Sequence, residues 1–349
     1  MNGRSRVLGL LVVMILPCVT HAGSLSDDLD GGFRRAGITS RAGLLFSAFA
    51  SDAADFPATS TTPAFSYRFN VEAGAFERVP GSLGPVYTER ATTLGRGKYD
   101  LGFGYAYLDF SKVDGRDLED FFTKRRIHLR TDRFDLTSHV FTFSGSYGLT
   151  DHLDVNLLVP LFFTTLDLRA INTESGATGA TESSAFGVGD IFLRAKYRFC
   201  ELLGAGFAAG LVLRLPSGNE GDFQGRGRTT VTPSLIASRT WGPLEGHTSL
   251  GVEADTDPVE ASRARYELGG VFNIVEHVAI FADVVGNSKF TGGETLPIAF
   301  PRTDIVDGIV GLKVEVGRRG LGYLAVRGPL TQDGLRADVI PSGGFELVF

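Results

Sequence analysis

Apolar and polar positions alternate with period two through most of the chain, the mark of strands with two unlike faces. In Lys98–Phe110, Tyr99, Leu101, Phe103, Tyr105 and Tyr107 share one face, and Asp100, Gly102, Gly104 and Ala106 the other. In Asp190–Phe199, Ile191, Leu193, Ala195, Tyr197 and Phe199 oppose Asp190, Phe192, Arg194, Lys196 and Arg198. Gly204–Leu215 sets Phe207, Ala209, Leu211, Leu213 and Leu215 against Ala208, Gly210, Val212 and Arg214. Arg263–Asn273 sets Ala264, Tyr266, Leu268, Gly270 and Phe272 against Arg263, Arg265, Glu267, Gly269 and Val271.

Continued along the chain, this pattern predicts about twelve strands, at 98–110, 135–147, 153–169, 187–199, 204–215, 229–241, 246–254, 263–273, 277–286, 304–315, 321–328 and 339–349. Several exceed the usual five or six residues and approach the nine to eleven that cross a bilayer at a tilt. The connections alternate long and short without exception, from 111–134 and 148–152 to 316–320 and 329–338. A soluble sandwich has no reason for that rhythm, whereas outer-membrane barrels join short periplasmic turns to longer outer loops. An even strand count puts both ends of the barrel on the short-turn side. Tyr147, Phe199, Trp241 and Phe272 each precede a short turn, and Phe349 ends the chain at that level, where an interfacial aromatic girdle belongs. Pro160 inside the third strand predicts a bulge or a shortened end. The fold class is therefore all-β, a transmembrane antiparallel up-and-down barrel occupying residues 94–349.

The N-terminal part differs. Met1–Ala22 has basic Arg4 and Arg6, the apolar stretch Val7–Leu16, and small residues before a cut after Ala22, which is the order of an export signal. Pro17 before Cys18 argues against a lipoprotein signal. Residues 23–93 are rich in Ser, Ala, Gly and Asp, with weak alternation only at Ser66–Glu72. They suit a periplasmic extension, an extra hairpin, or a plug inside the lumen; the plug or hatch is the reading carried forward.

Composition narrows the classes further. With 43% hydrophobic residues and a net charge of -6, the chain is not disordered. Its longest apolar run, Val7–Leu16, is too short for a helical membrane bundle. Two cysteines, of which only Cys200 survives removal of 1–22, exclude a disulfide scaffold. The acidic balance argues against nucleic acid as a partner.

At this point Gly81–Asp117, Tyr147–Val155 (YGLTDHLDV), Gly187–Tyr197 (GVGDIFLRAKY), Leu215–Gly218 (LPSG) and Ala325–Ala337 (AVRGPLTQDGLRA), with the final Phe349, resemble the outer-membrane transporters grouped as the meta-pathway phenol-degradation family. The resemblance spans roughly residues 80–349. It implies a barrel in the outer membrane that passes hydrophobic or aromatic compounds, and it supplies no catalytic residues. The terminal alternation Phe345, Leu347, Phe349 also resembles the signature read by the barrel assembly machinery, over its last turn only.

No G-x-S-x-G, H-E-x-x-H, C-x-x-C or phosphate-loop motif occurs, and Gly225–Arg228 is a loop fragment. Asp255, Asp257 and Glu260 read as a solvated acidic turn rather than a cation site, so no metal is expected. His247, Ser249 and Glu253 share one strand face, as a barrel hydrolase would need, yet such groups usually line a polar wall. The informative set is the charged ladder Asp190, Arg194, Lys196, Arg198, Arg214, Arg263, Arg265 and Glu267. An Arg or Lys facing lipid at midplane costs about 2–4 kcal/mol, so these groups belong to the lumen or a rim. They are the candidate lumen-lining and solute-contact residues. We therefore expect a non-enzymatic outer-membrane channel, without cofactors, for passive passage of small hydrophobic or aromatic solutes. Its partners are lipid, the assembly machinery and the solute. The alternatives are a non-conducting anchoring barrel and a barrel hydrolase.

Overall fold

The computed structural model describes residues 23–37, 52–56, 58–61, 67–70, 75–78, 83–123, 128–256, 262–290, 304–317 and 319–349. The export signal at 1–22 lies outside them, as do Asp257 and Glu260. The strands are β1 (Tyr99–Val113), β2 (Leu129–Gly148), β3 (Leu153–Asn172), β4 (Thr178–Val188), β5 (Ile191–Leu202), β6 (Ala205–Leu215) and β7 (Thr230–Trp241). They continue with β8 (Leu244–Asp255), β9 (Arg263–Val275), β10 (Val278–Lys289), β11 (Asp304–Val316), β12 (Gly320–Pro329) and β13 (Ile340–Val348). Each pairs antiparallel with its neighbours, and β13 returns to β1 with Phe345 opposite Phe103. β4 and β5 occupy one place in the wall, so the barrel is closed and twelve-stranded. Ends meet at the short-turn rim, where Tyr99 and Phe349 exchange backbone hydrogen bonds of 3.2 and 2.8 Å and stack their rings at 4.9 Å.

The alternation has the expected sense. Leu235, Leu250 and Leu268 are each 64% exposed on the outer surface, while Arg194, Arg214 and Arg263 are buried on the inner face. A barrel with greasy side chains outside and guanidiniums inside suits lipid around it, because the bilayer leaves no water to solvate a charge. Tyr147, Phe199, Trp241 and Phe272 project outward next to short turns, as a girdle requires.

Two sequence expectations need correction. The stretches 111–134 and 170–186 are not plain loops. β2 and β3 are 20 residues each, and 178–188 forms β4 against β3, so the second long connection shrinks to a tight turn at 173–177. One side of the barrel thus stands taller than the rest. Pro160 makes neither a bulge nor an end. β3 runs through it with unbroken register to β2, and the interruption falls in its other neighbour, between Val188 and Ile191. Proline lacks an N–H, and it sits where the partner strand changes from β5 to β4 and no donor is required. Within the weakly alternating stretch, Tyr67–Asn70 pairs with Ala75–Arg78 as a separate two-stranded hairpin.

The N-terminal segment also contains a helix that composition conceals, α1 (Leu25–Arg35). Ser24 caps it with a reciprocal box to Asp27, acids fill its first turn and Arg34 and Arg35 its last. Leu25, Leu29 and Phe33, spaced by four, bury against the inner face of the tall wall in one cluster with Phe134, Leu166 and Leu168. A Cβ at Gly179 would strike the Gly32 carbonyl, so this close approach of helix to β4 needs glycine there.

Candidate functional site

Three described stretches of residues 23–94, the helix α1, residues 52–61 and residues 83–94, lie against inward-facing wall side chains, in three storeys. α1 is at the long-loop mouth, with Leu25 N donating to Asp222 of the 216–228 loop at 3.0 Å and Ser183 Oγ donating to Asp28 at 2.5 Å. Residues 52–61 form the middle storey, and 83–94 the one nearest the short-turn rim.

The lowest storey is tied to eight different strands, the eighth through the Glu89 amide, which donates to Glu267 of β9 at 3.2 Å. Lys313 Nζ donates to the carbonyls of Leu83, Gly84 and Pro85 at 2.8, 2.7 and 2.9 Å. Tyr87 Oη donates to Ser342 Oγ at 2.7 Å, and Thr88 Oγ1 to Asp283 at 3.3 Å. Arg90 pairs with Glu245 at 3.4 Å, and Lys196 with Glu89 at 3.6 Å. The amides of Ala91 and Leu94 donate to Ser238 Oγ and Asp154 Oδ2 at 3.1 and 2.9 Å. Thr61 joins the two storeys, its amide and hydroxyl each donating to Glu89 at 2.7 Å.

The middle storey rests on arginines. Arg194 Nη1 donates to Thr59 O at 2.6 Å and Arg214 Nη2 to Ala54 O at 3.1 Å. Asp55 Oδ1 meets Arg226 at 3.2 Å and Arg265 at 3.4 Å. Glu253 binds more closely, with Arg226 and Arg265 at 2.5 Å each and Arg263 at 3.2 Å. Asp190, at the break between β4 and β5, accepts from Arg214 at 2.7 Å and from the amides of Arg226 and Gly218 at 2.9 and 3.1 Å. It therefore stitches the 216–228 loop into the wall. Arg327 and Arg336 share the carboxylate of Asp307.

Burial would push the Asp55 carboxyl up, but the guanidiniums of Arg265, Arg226, Arg263 and Arg214 outweigh it and hold the group well below the usual carboxylate range. A carboxylate depressed in the folded state adds stability that is complete above its unfolded value and fades only as the pH falls through the folded one. The Asp55 contacts therefore persist through the neutral and mildly acid range. Limited proteolysis of the 52–61 segment is expected to be equally slow at pH 8 and pH 5; a rise in cleavage at pH 5 would contradict this.

Between the two lower storeys lies a cavity of about 180 Å³. Phe56, Tyr87, Phe192, Val212, Val285 and Ile309 give it an apolar side, and Asp55, Arg194, Arg214, Arg265, Glu267 and Arg327 a charged side. Seven of the eight ladder residues are thus in the lumen: Asp190, Arg194, Lys196, Arg214, Arg263 and Arg265 with the partners given above, and Glu267 accepting from the Glu89 amide at 3.2 Å. Arg198 departs from the set. It sits at the short-turn end of β5, pairing with Glu201 at 2.6 Å. Asp55, Arg226, Lys313, Asp307 and Arg327 were missed. Alternation along β11 puts Asp307, Ile309 and Lys313 on one face and would have found two of them. His247 does not engage Ser249; its Nε2 lies 3.5 Å from Asp283. Asp255 is engaged by Arg228 at 3.1 Å.

The family model described as "Putative MetA-pathway of phenol degradation" matches residues 129–305, just over half of the chain. No curated protein matches in sequence. Among solved structures, the COG4313 outer membrane channel from Pseudomonas putida F1 is similar with a TM-score of 0.55 and 16% identity, over 74% of this chain and 98% of that one. The NanC porin (TM-score 0.44, 8% identity, 71% and 98% covered) and the KdgM porin (0.42, 10%, 71% and 99%) follow. The likeness to the first is one of fold: an outer-membrane β-barrel.

Proposed function

Because this chain belongs to the MetA-pathway phenol-degradation family, we propose that it is an outer-membrane channel for passive passage of small apolar or aromatic solutes. The observation that carries this reading is the cavity of about 180 Å³ inside the barrel, part aromatic and part charged. An apolar cavity of about 150 Å³ suffices to hold one benzene ring. The lumen therefore has room for one small aromatic molecule at a time, with polar partners for a hydroxyl. Passage needs no energy source; a solute moves from mouth to cavity to rim as the storeys around it give way. The 83–94 storey, tied to eight strands, is the slower barrier, and the 52–61 storey, held at its carboxylate by contacts of 3.2 and 3.4 Å, the easier one.

The same anchoring favours a second reading, a barrel that conducts nothing. Proteoliposomes with lipopolysaccharide in their bilayers separate the two. Influx of dihydroxybenzenes above that of protein-free vesicles, with pentoses slower, is the expected result. Equal influx with and without protein would remove the channel.

A further inference from the structure

The arginine cluster above the cavity carries more positive charge than its wall can neutralise. Around Asp55 stand Arg214, Arg226, Arg263 and Arg265; among the described residues the wall forms ion pairs with them through Glu253 and Asp190, and Glu267 lines the cavity beside Arg265, so three carboxylates face four guanidiniums. The next pair along, Arg327 and Arg336, has the single carboxylate of Asp307. The group that completes the balance comes from the N-terminal segment, and it is a carboxylate. Its grip is the weakest of the set. Glu253 is held at 2.5 Å by two guanidiniums and Asp190 at 2.7 Å by one, whereas Asp55 reaches its two partners only at 3.2 and 3.4 Å through one oxygen. Arginine binds a carboxylate best in a two-pronged arrangement at closer range, which Asp55 does not achieve. Beside it, Arg194 faces the same cavity with Nη2 buried and without a hydrogen bond among the described residues. Directly adjoining these cations are Phe56, Phe192 and Val212, the apolar wall of the cavity.

We propose that Asp55 occupies a binding site for a small carboxylate with an apolar body, such as an aromatic acid, and that such a solute competes with Asp55 for the arginines while its ring fills the cavity. The site is amphipathic in the required order, with cations on one side and rings on the other, and its volume limits the body to about one ring. Exchange of one carboxylate for another keeps the guanidiniums paired throughout, so displacing the 52–61 storey does not leave a buried charge alone. This solute class rests on the channel reading for its biological sense, but the site stands on its own geometry.

The test is binding to the full-length purified protein in detergent, by titration calorimetry, with benzoate and its neutral counterpart benzyl alcohol. Wild-type protein is expected to prefer benzoate. Asp55→Asn, which keeps shape and removes the competing charge, should tighten benzoate by about tenfold, the worth of one charge-assisted hydrogen bond, and leave benzyl alcohol unchanged. Arg265→Gln placed on Asp55→Asn should abolish the gain. Equal affinities for the two ligands in wild type, or an unchanged preference in Asp55→Asn, would overturn the proposal. Should Asp55→Asn fold poorly, amide exchange of wild-type residues 52–56 answers the same question. Saturating benzoate should accelerate it and benzyl alcohol should not; no difference between them counts against the site. Flux into vesicles is a separate readout. Benzoate binding without influx of any aromatic would sink the channel and keep the site, and influx without charge preference the reverse.

Discussion

Lys313→Met is expected to free the rim-side storey of the lumen without opening the wall. The Lys313 ammonium has three protons, and each is given to a backbone carbonyl, those of Leu83, Gly84 and Pro85. Pro85 and the left-handed Gly84 (φ 68°) bend this short stretch around the ammonium. Met keeps an unbranched chain one atom shorter and removes all three donors. A buried acceptor left unpaired costs roughly 1–3 kcal/mol, and with partial relaxation the three together are expected to cost about 3–5 kcal/mol. That loss falls on residues 83–94, because β11 keeps its ladders to β10 and β12. Amide exchange of Ala91 and Leu94 should then quicken by roughly a hundredfold or more, in proportion to the lost local stability. Influx of small solutes should rise with it, while the folded barrel keeps its resistance to detergent. Unchanged exchange at these amides would mean that the other seven strands hold the storey alone.

The wall was legible because its physics is local. Period two with Tyr99, Leu101 and Phe103 on one side and Asp100 on the other needs only the pleat and two unlike solvents. The strand from Thr178 to Val188 was not legible. Its Thr, Gly, Ser and Ala residues have turn-like composition, and their strand state comes from pairing with β3 and from α1 lying against Gly179. Pro160 misled for a related reason. Its meaning depends on a break at Gly189 and Asp190, in a different strand. α1 was missed because only Leu25, Leu29 and Phe33 speak for it, within eleven residues otherwise polar or small.

The site divides in the same way. Arg194, Lys196, Arg214, Arg263 and Arg265 were placed inward by alternation and by the cost of a charge in lipid. Part of their pairing also follows from register, since Glu253 lies directly across from Arg263. Their partners from outside the wall follow from nothing local. Asp55 meets Arg226 only because residues 52–56 lie against the inner face of the wall and the 216–228 loop turns in over them. In sequence Arg226 belongs to the loop fragment Gly225–Arg228, yet its side chain is among the most completely buried of the described residues.

Glu253→Gln tests how much that inner network contributes to stability. Oε1 of Glu253 meets Arg226 and Arg263, and Oε2 meets Arg265, so one carboxylate is shared by three guanidiniums. Glutamine keeps the volume and one acceptor but turns an amide N–H₂ toward a cation. Asp55, at 3.2 and 3.4 Å from two of them, is too distant and too singly charged to compensate. Removing one partner of a buried ionic group typically costs about 3–5 kcal/mol, because the remaining charge stays out of water. The unfolding free energy in urea should fall by about that much, and the 216–228 loop, anchored through Arg226, should become the first site of proteolysis. Added chloride should restore part of the loss by supplying an anion to the cluster, which a simple packing defect would not show. A variant within about 0.5 kcal/mol of wild type, as surface substitutions usually are, would mean that the arginines are solvated from the lumen and that their charge is not confined as the geometry requires.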